Sequence, residues 1–316
     1  MIKNPPIIKQ VVLAMGGTVE DFVPERGCFY IKVLGKRIMI QRKISITRDS
    51  FMSVHLSKYK DLTHKLLCEY NLPTPPTECF YKKTYDRGNA IEKLQKLTYP
   101  VILKDAQGSN SRGIFPFIHT AQEALEVLEA QLPIYRSMIA QQMVFGKEFR
   151  LLVLYDKIIG ALEMIPPYIV GDGVSSAEEL ITEKQSSTEK RTLFDEKLNQ
   201  ILGEKGFTLK SIIPKNKGVY IKKSSCLAEG GEMKDVTDLV NKEIENICVK
   251  TSEVIGKSLI GIDVICEDIS KDPTEQSFNI LEINGKPDLY IHYNPKHGET
   301  KNVIEEIIRF MVKIAK

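Results

Sequence analysis

Apolar positions divide the chain into segments with two different periods. From Cys28 to Ile46, CFYIKVLGKRIMIQRKISI alternates with a period near two around Gly35-Lys36, which predicts a hairpin. Residues 1–55 as a whole read as short strands and turns. After Ser57 the period lengthens, and Leu62, Leu66, Leu67 and Tyr70 share one helical face. The run Asn71-Leu72-Pro73-Thr74-Pro75-Pro76 ends that helix, because proline cannot continue it. A second helix is predicted over Asn89 to Leu97.

Pro100 to Asp105 reads as a buried strand, followed by the polar loop Gln107 to Gly113 and a strand over Ile114 to Ile118. Thr120 with Glu123 forms a capping box that opens a helix over Ala121 to Ala130. Strands are predicted over Ser137–Val144, Phe149–Tyr155 and Lys157–Met164, with a turn at Gly171-Asp172-Gly173. Ser176 with Glu179 makes a second capping box. Residues 184–217, rich in Lys, Glu, Ser and Gly, read as a mobile insertion. A helix over roughly Asp238 to Gly256, strands over Gly261–Asp268 and Phe278–Ile283, and a helix from about Glu299 complete the pattern. The order is α+β with hairpin-like strands; without βαβα alternation it fits neither a doubly wound sheet nor a TIM barrel.

Composition narrows this only a little. The 316 residues suggest about two domains, and 42% hydrophobic with 27% charged residues is globular, which excludes a disordered chain. The net charge of +3, from 44 basic against 41 acidic side chains, gives no basis for nucleic-acid binding, since the cations are interspersed with acids. No apolar run approaches the roughly 20 residues of a membrane span; Leu151 to Leu162 is broken by Asp156 and Lys157. MIKNPPIIKQ lacks the apolar stretch of a signal peptide. The expectation is a cytoplasmic protein without a nucleic-acid or membrane partner. The six scattered cysteines include no CxxC pair and read as reduced thiols, with Cys226 of interest for its position.

Three constellations carry chemistry. Asp263 lies in the apolar strand GIDVI, and Glu282 and Asn284 lie two residues apart in LEIN. Residues i and i+2 of a strand share a face, so pairing of the two strands gathers three oxygen donors, a set that suits Mg²⁺; an ordinary solvated sheet face is the other reading. Lys104 precedes the loop GSNSRG, whose small residues would let backbone N–H groups approach phosphate, or which is a plain flexible turn. Gln141 to Arg150 enters and leaves a hinge at which backbone groups would meet an adenine and Glu148 would reach ribose hydroxyls. Neither GxxxxGK[ST] nor GxGxxG occurs. His55, His64, His119, His292 and His297 form no HExxH and read as structural or exposed.

In order, these pieces resemble the ATP-grasp superfamily from about Lys58 to Lys316. The likeness is to the ATP-grasp domains of cyanophycin synthetase and of bifunctional glutamate–cysteine ligase/glutathione synthetase. It rests on YKDLTHKLLCEYNLPTPP, YPVILKDAQGSNSRGI, FGKEFRLLVL, IPPYIVGDGVSSAEELI, EGGEMKDVTDLV, GIDVI and ILEINGKPDLYIHYNPKHG. The resemblance implies two β-rich subdomains clamping ATP: a short segment over 1–55, a linker helix and central subdomain over 56–142, and a C-terminal subdomain with the metal site over 143–316.

It further implies that Lys60 and Lys104 contact phosphate or adenine, and that Gly108, Ser109, Ser111 and Gly113 belong to a loop over the phosphates. Gln141, Met143 and Val144 would form the adenine hinge and Glu148 would bind ribose. Arg150 and Lys222 would face the γ-phosphate as catalytic groups, and Asp263, Glu282 and Asn284 would hold two Mg²⁺. The implied reaction is ADP-forming ligation of a carboxylate to an amine through an acyl phosphate, on an amino acid or short peptide; a homodimer is compatible with it.

Lys222, Cys226, Met164 and Gln141 depart from the subfamily's usual arginine, asparagine, arginine and glutamate. These departures keep two alternatives open: an ATP-binding module that no longer ligates, and a ligase acting on a ribosomal precursor peptide.

Overall fold

The computed structural model describes residues 4–41, 49–108, 113–186, 193–195, 197–225 and 227–315. It opens with a helix that the strand pattern of residues 1–55 does not anticipate. In α1 (Asn4–Ala14), Ile7, Ile8, Val11 and Val12 are buried at helical spacing, and prolines sit harmlessly in its first turn. Strands β1 (Thr18–Val23), β2 (Cys28–Val33) and β3 (Lys36–Gln41) form an antiparallel sheet, and Phe29, Ile31, Ile38 and Ile40 alternate inward. The predicted hairpin at Gly35 is present; residues 42–46 of its pattern lie outside the described residues.

Next come α2 (Phe51–Leu56), α3 (Lys60–Glu69), β4 (Thr77–Tyr81) and α4 (Arg87–Gln95). β5 (Val101–Asp105), β6 (Ile114–Ile118), α5 (Ala121–Tyr135) and β7 (Ser137–Gln142) build a four-stranded antiparallel sheet in the order β4-β7-β5-β6. The capping box opens α5: Glu123 N–H donates to Thr120 Oγ1 at 3.1 Å, and Glu123 Oε2 accepts from His119 N–H at 2.9 Å. The helix outruns its predicted end at Ala130 and passes through Pro133, because Leu128 and Leu132 continue its buried stripe.

β8 (Lys147–Leu154) and β9 (Lys157–Ile165) follow the central subdomain; then β10 (Tyr168–Val170), α6 (Ala177–Ser186), α7 (Leu198–Gly203), β11 (Gly218–Tyr220) and β12 (Glu232–Asp235). The chain closes with α8 (Lys242–Ile255), β13 (Leu259–Cys266), β14 (Asn279–Asn284), the short α9 (Tyr290–Tyr293) and α10 (Val303–Ile314). Gly256 ends α8 in the left-handed region at φ 73° and donates to Ser252 and Glu253 carbonyls.

The chain gathers into two compact units. One holds residues 1–162, 236–294 and 300–316; the other holds 163–235 and 295–299. In the first, β9, β8, β13 and β14 are neighbours in that order. Phe149, Leu151, Val153, Ile260, Ile262 and Val264 turn to one face, packed with Leu67 of α3 and Ile244, Cys248 and Ile255 of α8. On the opposite face, Leu152, Leu154 and Leu259 pack with α1, β2, β3 and α10.

In the second unit, β10 pairs with β11, and Ile169, Ile181, Leu193, Leu198, Leu202, Ile213 and Ile221 form a buried cluster. This corrects the reading of 184–217 as a mobile insertion: its described residues supply Leu193, Leu198, Leu202 and Ile213 to a core. Their spacing among Lys, Glu and Gly hides them, since they come from one six-residue helix and from isolated loop positions.

Glu232 is the buried acid of that unit. Lys296 Nζ lies 2.6 Å from Oε1, Lys184 Nζ 2.9 Å from Oε1, and His297 Nε2 2.9 Å from Oε2. Desolvation pushes its pKa up, but the hydrogen bonds from Lys296, His297 and Lys184 outweigh it and hold the acid at about 2. A carboxyl depressed in this way contributes stability that is complete above its ordinary pKa near 4.5 and lost as pH falls toward 2. Acid titration of unfolding should therefore show a loss on the order of 2–3 kcal/mol over that window, and Glu232→Gln should flatten it. An unchanged acid limb in the variant would contradict the assignment.

Candidate functional site

The larger sheet of the first unit places charge on the same face as part of its apolar core. Side chains alternate along β8, so Glu148 and Arg150 share a face with Leu152 and Leu154. Across the sheet, Arg150 is the register partner of Asp263, and Asp263 is the partner of Glu282. Asn284, two residues on, lies opposite Gly261. The two C-terminal strands do pair, and Asp263, Glu282 and Asn284 come together as their spacing anticipates.

Gly146 helps to fix this register. A Cβ there would lie 2.7 Å from the Cys266 carbonyl oxygen, so only glycine lets β8 enter beside the end of β13. Gly261 has a similar role beside Asn284, whose Cβ would be 3.2 Å from an added methyl group.

Arg150 grips Asp263 with both arms of its fork. Nε donates to Oδ1 at 2.7 Å and Nη2 to Oδ2 at 2.8 Å, and Asn284 Nδ2 adds a third donor to Oδ2 at 2.9 Å. The Asp263 carboxylate raises the pKa of the guanidinium, against the pull of burial. Lys60 reaches Glu282 at 3.4 Å and donates to the Gly108 carbonyl. Lys104 donates to Gln141 Oε1 at 2.9 Å, and Gln141 Nε2 donates to Thr77 Oγ1 at 3.0 Å. Burial lowers the pKa of Lys104; Glu282, Glu148 and Asp263 oppose that and Lys60 adds to it. The five charged groups therefore share one electrostatic environment.

Of the other predicted residues, Met143 places its sulfur 3.3 Å from Phe117 N, and Gly113 sits at φ 66°, where an added Cβ would meet Asp105 at 2.7 Å. Ser109 and Ser111 lie outside the described residues, as does Cys226. Val144 follows Met143 in the connection to β8. Lys222 belongs to the second unit, where it is buried and pairs with Asp195; Met164 is buried in the same unit. Gln141 Oε1 accepts from Lys104.

The donor set fits magnesium. Asp263 accepts three hydrogen bonds and a carboxylate has about four acceptor sites. Asn284 uses its amide nitrogen on Asp263, which leaves the amide oxygen to a cation. Two carboxylates and one amide leave further positions to phosphate and water, the habit of Mg²⁺. Among the described residues there is no cluster of three or more His, Cys, Asp or Glu that would hold a metal alone.

His292, which the sequence reads as structural or exposed, is structural. It is fully buried, neither ring nitrogen has a partner, and burial with nearby Arg150 holds its pKa at about 3, so it is neutral. A Cβ at Gly160 would lie 2.7 Å from its Nδ1, so glycine in β9 makes the room it fills. The signal was present only as a histidine in a short apolar run, LYIHY.

The fold is similar to that of ATP-grasp proteins. Residues 57–167 match the RimK-like ATP-grasp domain. The chain is 29% identical over 318 residues to a cyanophycin synthetase from Geminocystis herdmanii, covering 93% of this chain and 36% of that protein. It is 24% identical over 291 residues to the glutathione biosynthesis bifunctional protein GshAB of Desulfotalea psychrophila, covering 87% of this chain and 36% of the relative. The structure of a bifunctional glutathione synthetase from Pasteurella multocida superposes with a TM-score of 0.72 at 22% identity, over 98% of this chain and 44% of that one. The chain spans about a third of the length of these curated relatives. Among the described residues no helix is long and apolar enough to cross a membrane.

The fork joins a buried aspartate to a half-buried arginine, so removing one partner strands the other charge. Asp263→Asn should lower unfolding stability by about 3 kcal/mol, and Arg150→Met with Asp263→Asn should recover part of that loss. Denaturant unfolding of the two variants checks it; Asp263→Asn within 0.5 kcal/mol of the parent would contradict it.

Proposed function

We propose that the chain is an ADP-forming carboxylate–amine ligase that joins an amino acid or short peptide to an amine through an acyl phosphate. The observation that carries this reading is the juxtaposition of Lys60, Lys104 and Arg150 with Asp263, Glu282 and Asn284 in one patch. A row of cations for phosphate beside oxygen donors for a divalent cation is what phosphoryl transfer to a carboxylate needs. The names of the relatives, cyanophycin synthetase and GshAB, support it.

Lys60 and Lys104 would bind the nucleotide's phosphates, and Met143 and Val144 with the neighbouring backbone would take its base. Glu148 would accept hydrogen bonds from the ribose. Asp263, Glu282 and Asn284 would hold Mg²⁺, which supplies charge neutralisation when bound. Arg150, anchored by Asp263, keeps its guanidinium at a fixed place for the charge that develops on the transferred phosphoryl group. The substrate carboxylate oxygen forms a bond to the γ-phosphorus as the bond to the ADP oxygen breaks. The amine nitrogen then attacks the acyl carbon, phosphate leaves, and one proton is lost from nitrogen. Positioning and charge do most of this work, so the patch needs no nucleophile of its own. Lys222 is assigned to the γ-phosphate by resemblance alone, and its substitution is a separate test of that role.

Incubation with ATP, Mg²⁺ and pooled amino acids and dipeptides should yield ADP, phosphate and a product lighter by one water than its two substrates, read by mass spectrometry. Glu282→Gln should reduce turnover at least 100-fold while the fold is retained. Tight ATP binding without turnover on any pool would instead identify a nucleotide-binding module.

A further inference from the structure

Gln141 stands among the charged groups without carrying a charge, and its place follows from the central sheet. β7 runs between β4 and β5, with Gln141 opposite Thr77 on one side and Ile102 on the other. Alternation turns Met138 and Ala140 of β7, Phe80 of β4, and Val101 and Leu103 of β5 to the face packed against α4 and α5. Thr77, Gln141 and Lys104 therefore share the other face. Gln142 N–H binds the Pro76 carbonyl at 2.9 Å and holds the proline run ahead of β4 against the end of β7.

One orientation of the Gln141 amide satisfies its neighbours. The Lys104 ammonium only donates, so the Gln141 oxygen faces it, at 2.9 Å. Thr77 donates its single hydroxyl hydrogen to the Pro75 carbonyl at 2.8 Å, so it accepts from Gln141 Nε2 at 3.0 Å. The hydrogen bonds from Lys104 through Gln141 and Thr77 to Pro75 all run in one direction, and they end on backbone.

Exposure separates the two side chains that could meet a ligand. Gln141 is 2% exposed and both ends of its amide are engaged, whereas Lys104 keeps part of its surface open. Lys104 gives one of its three hydrogens to Gln141, and among the described residues it makes no salt bridge. Two of the acids whose field it feels are held by other cations, Asp263 by Arg150 and Glu282 by Lys60. A neutral amide thus fixes the direction of the ammonium and leaves its charge for an anion. We propose that Gln141 is the positioning residue for Lys104 and acts on the bound nucleotide through that lysine, not through the base. The inference rests on the reading of Lys104 as a nucleotide-binding group and names the residue that aims it.

The test measures equilibrium binding of ATP with Mg²⁺, and of purine riboside triphosphate, which lacks only the 6-amino group of ATP, to the full chain. Gln141→Met should weaken both at least tenfold, by factors that agree within twofold. In a Lys104→Met background the same substitution should weaken binding less than twofold, because the lysine it aims is gone. Gln141→Asn, which keeps an amide but withdraws it from Lys104, should follow Gln141→Met and replaces it if that variant fails to fold. A loss for ATP alone would assign Gln141 to the base and overturn the inference. Affinity within twofold of the parent, or a full tenfold loss in the Lys104→Met background, overturns it as well. Lys104→Met that binds ATP as tightly as the parent also overturns it and leaves the ligase reading to the turnover assay. A parent that binds neither nucleotide overturns both.

Discussion

The fork that joins Arg150 to Asp263 is the constraint on which the rest of the patch depends. It links β8 to β13 across the middle of the sheet, at bond lengths of 2.7 and 2.8 Å. Asp263 is fixed on its other side by Asn284, so one carboxylate ties three strands together. With that aspartate held, Glu282 falls into register beside it and meets Lys60 of α3. The arrangement explains why charged groups tolerate half-burial here: Lys60, Lys104 and Arg150 are balanced by Glu148, Asp263 and Glu282. A lysine at position 150 would keep the charge and lose the second arm of the fork.

The apolar face of the same sheet has the complementary role. Phe149, Leu151, Val153, Ile260, Ile262 and Val264 are fully or almost fully buried, and they pack against α3 and α8. Alternation then leaves Arg150 and Asp263 no choice of direction, because a slip of one residue would drive two charges into that core. Gly146 guards against such a slip by demanding close approach to Cys266. Rigid placement of the charged row is thus a consequence of packing on the other side of the sheet.

Much of this was legible from the residues. Period-two alternation located β2 and β3, apolar segments located β8, β9, β13 and β14 to within a few positions, and the spacing of Glu282 and Asn284 placed them on one face with Asp263. Both capping boxes are formed. The misses have physical causes. α1 was hidden because NPPIIKQVVLA is short, β-branched and proline-bearing, and its helix is held by tertiary burial more than by propensity. The core of 193–221 was hidden because its apolar residues come from one short helix and from positions scattered through loops. Asp49 and Glu232 could not be read at all: an acid's partners lie far along the chain, and nothing local distinguishes a buried charge from a solvated one. Gln141 is expected at the adenine hinge, and only the fold shows that its amide oxygen also accepts from Lys104.

The central claim is that the substrate's carboxylate takes the γ-phosphoryl group on a site organised by Arg150 and Asp263. The most direct measurement uses an acid substrate with both carboxylate oxygens replaced by ¹⁸O, turned over with ATP and amine, and follows the label in the released phosphate. Passage through an acyl phosphate transfers one ¹⁸O to phosphate in every turnover. Phosphate that forms stoichiometrically with ADP but carries no label would contradict the account.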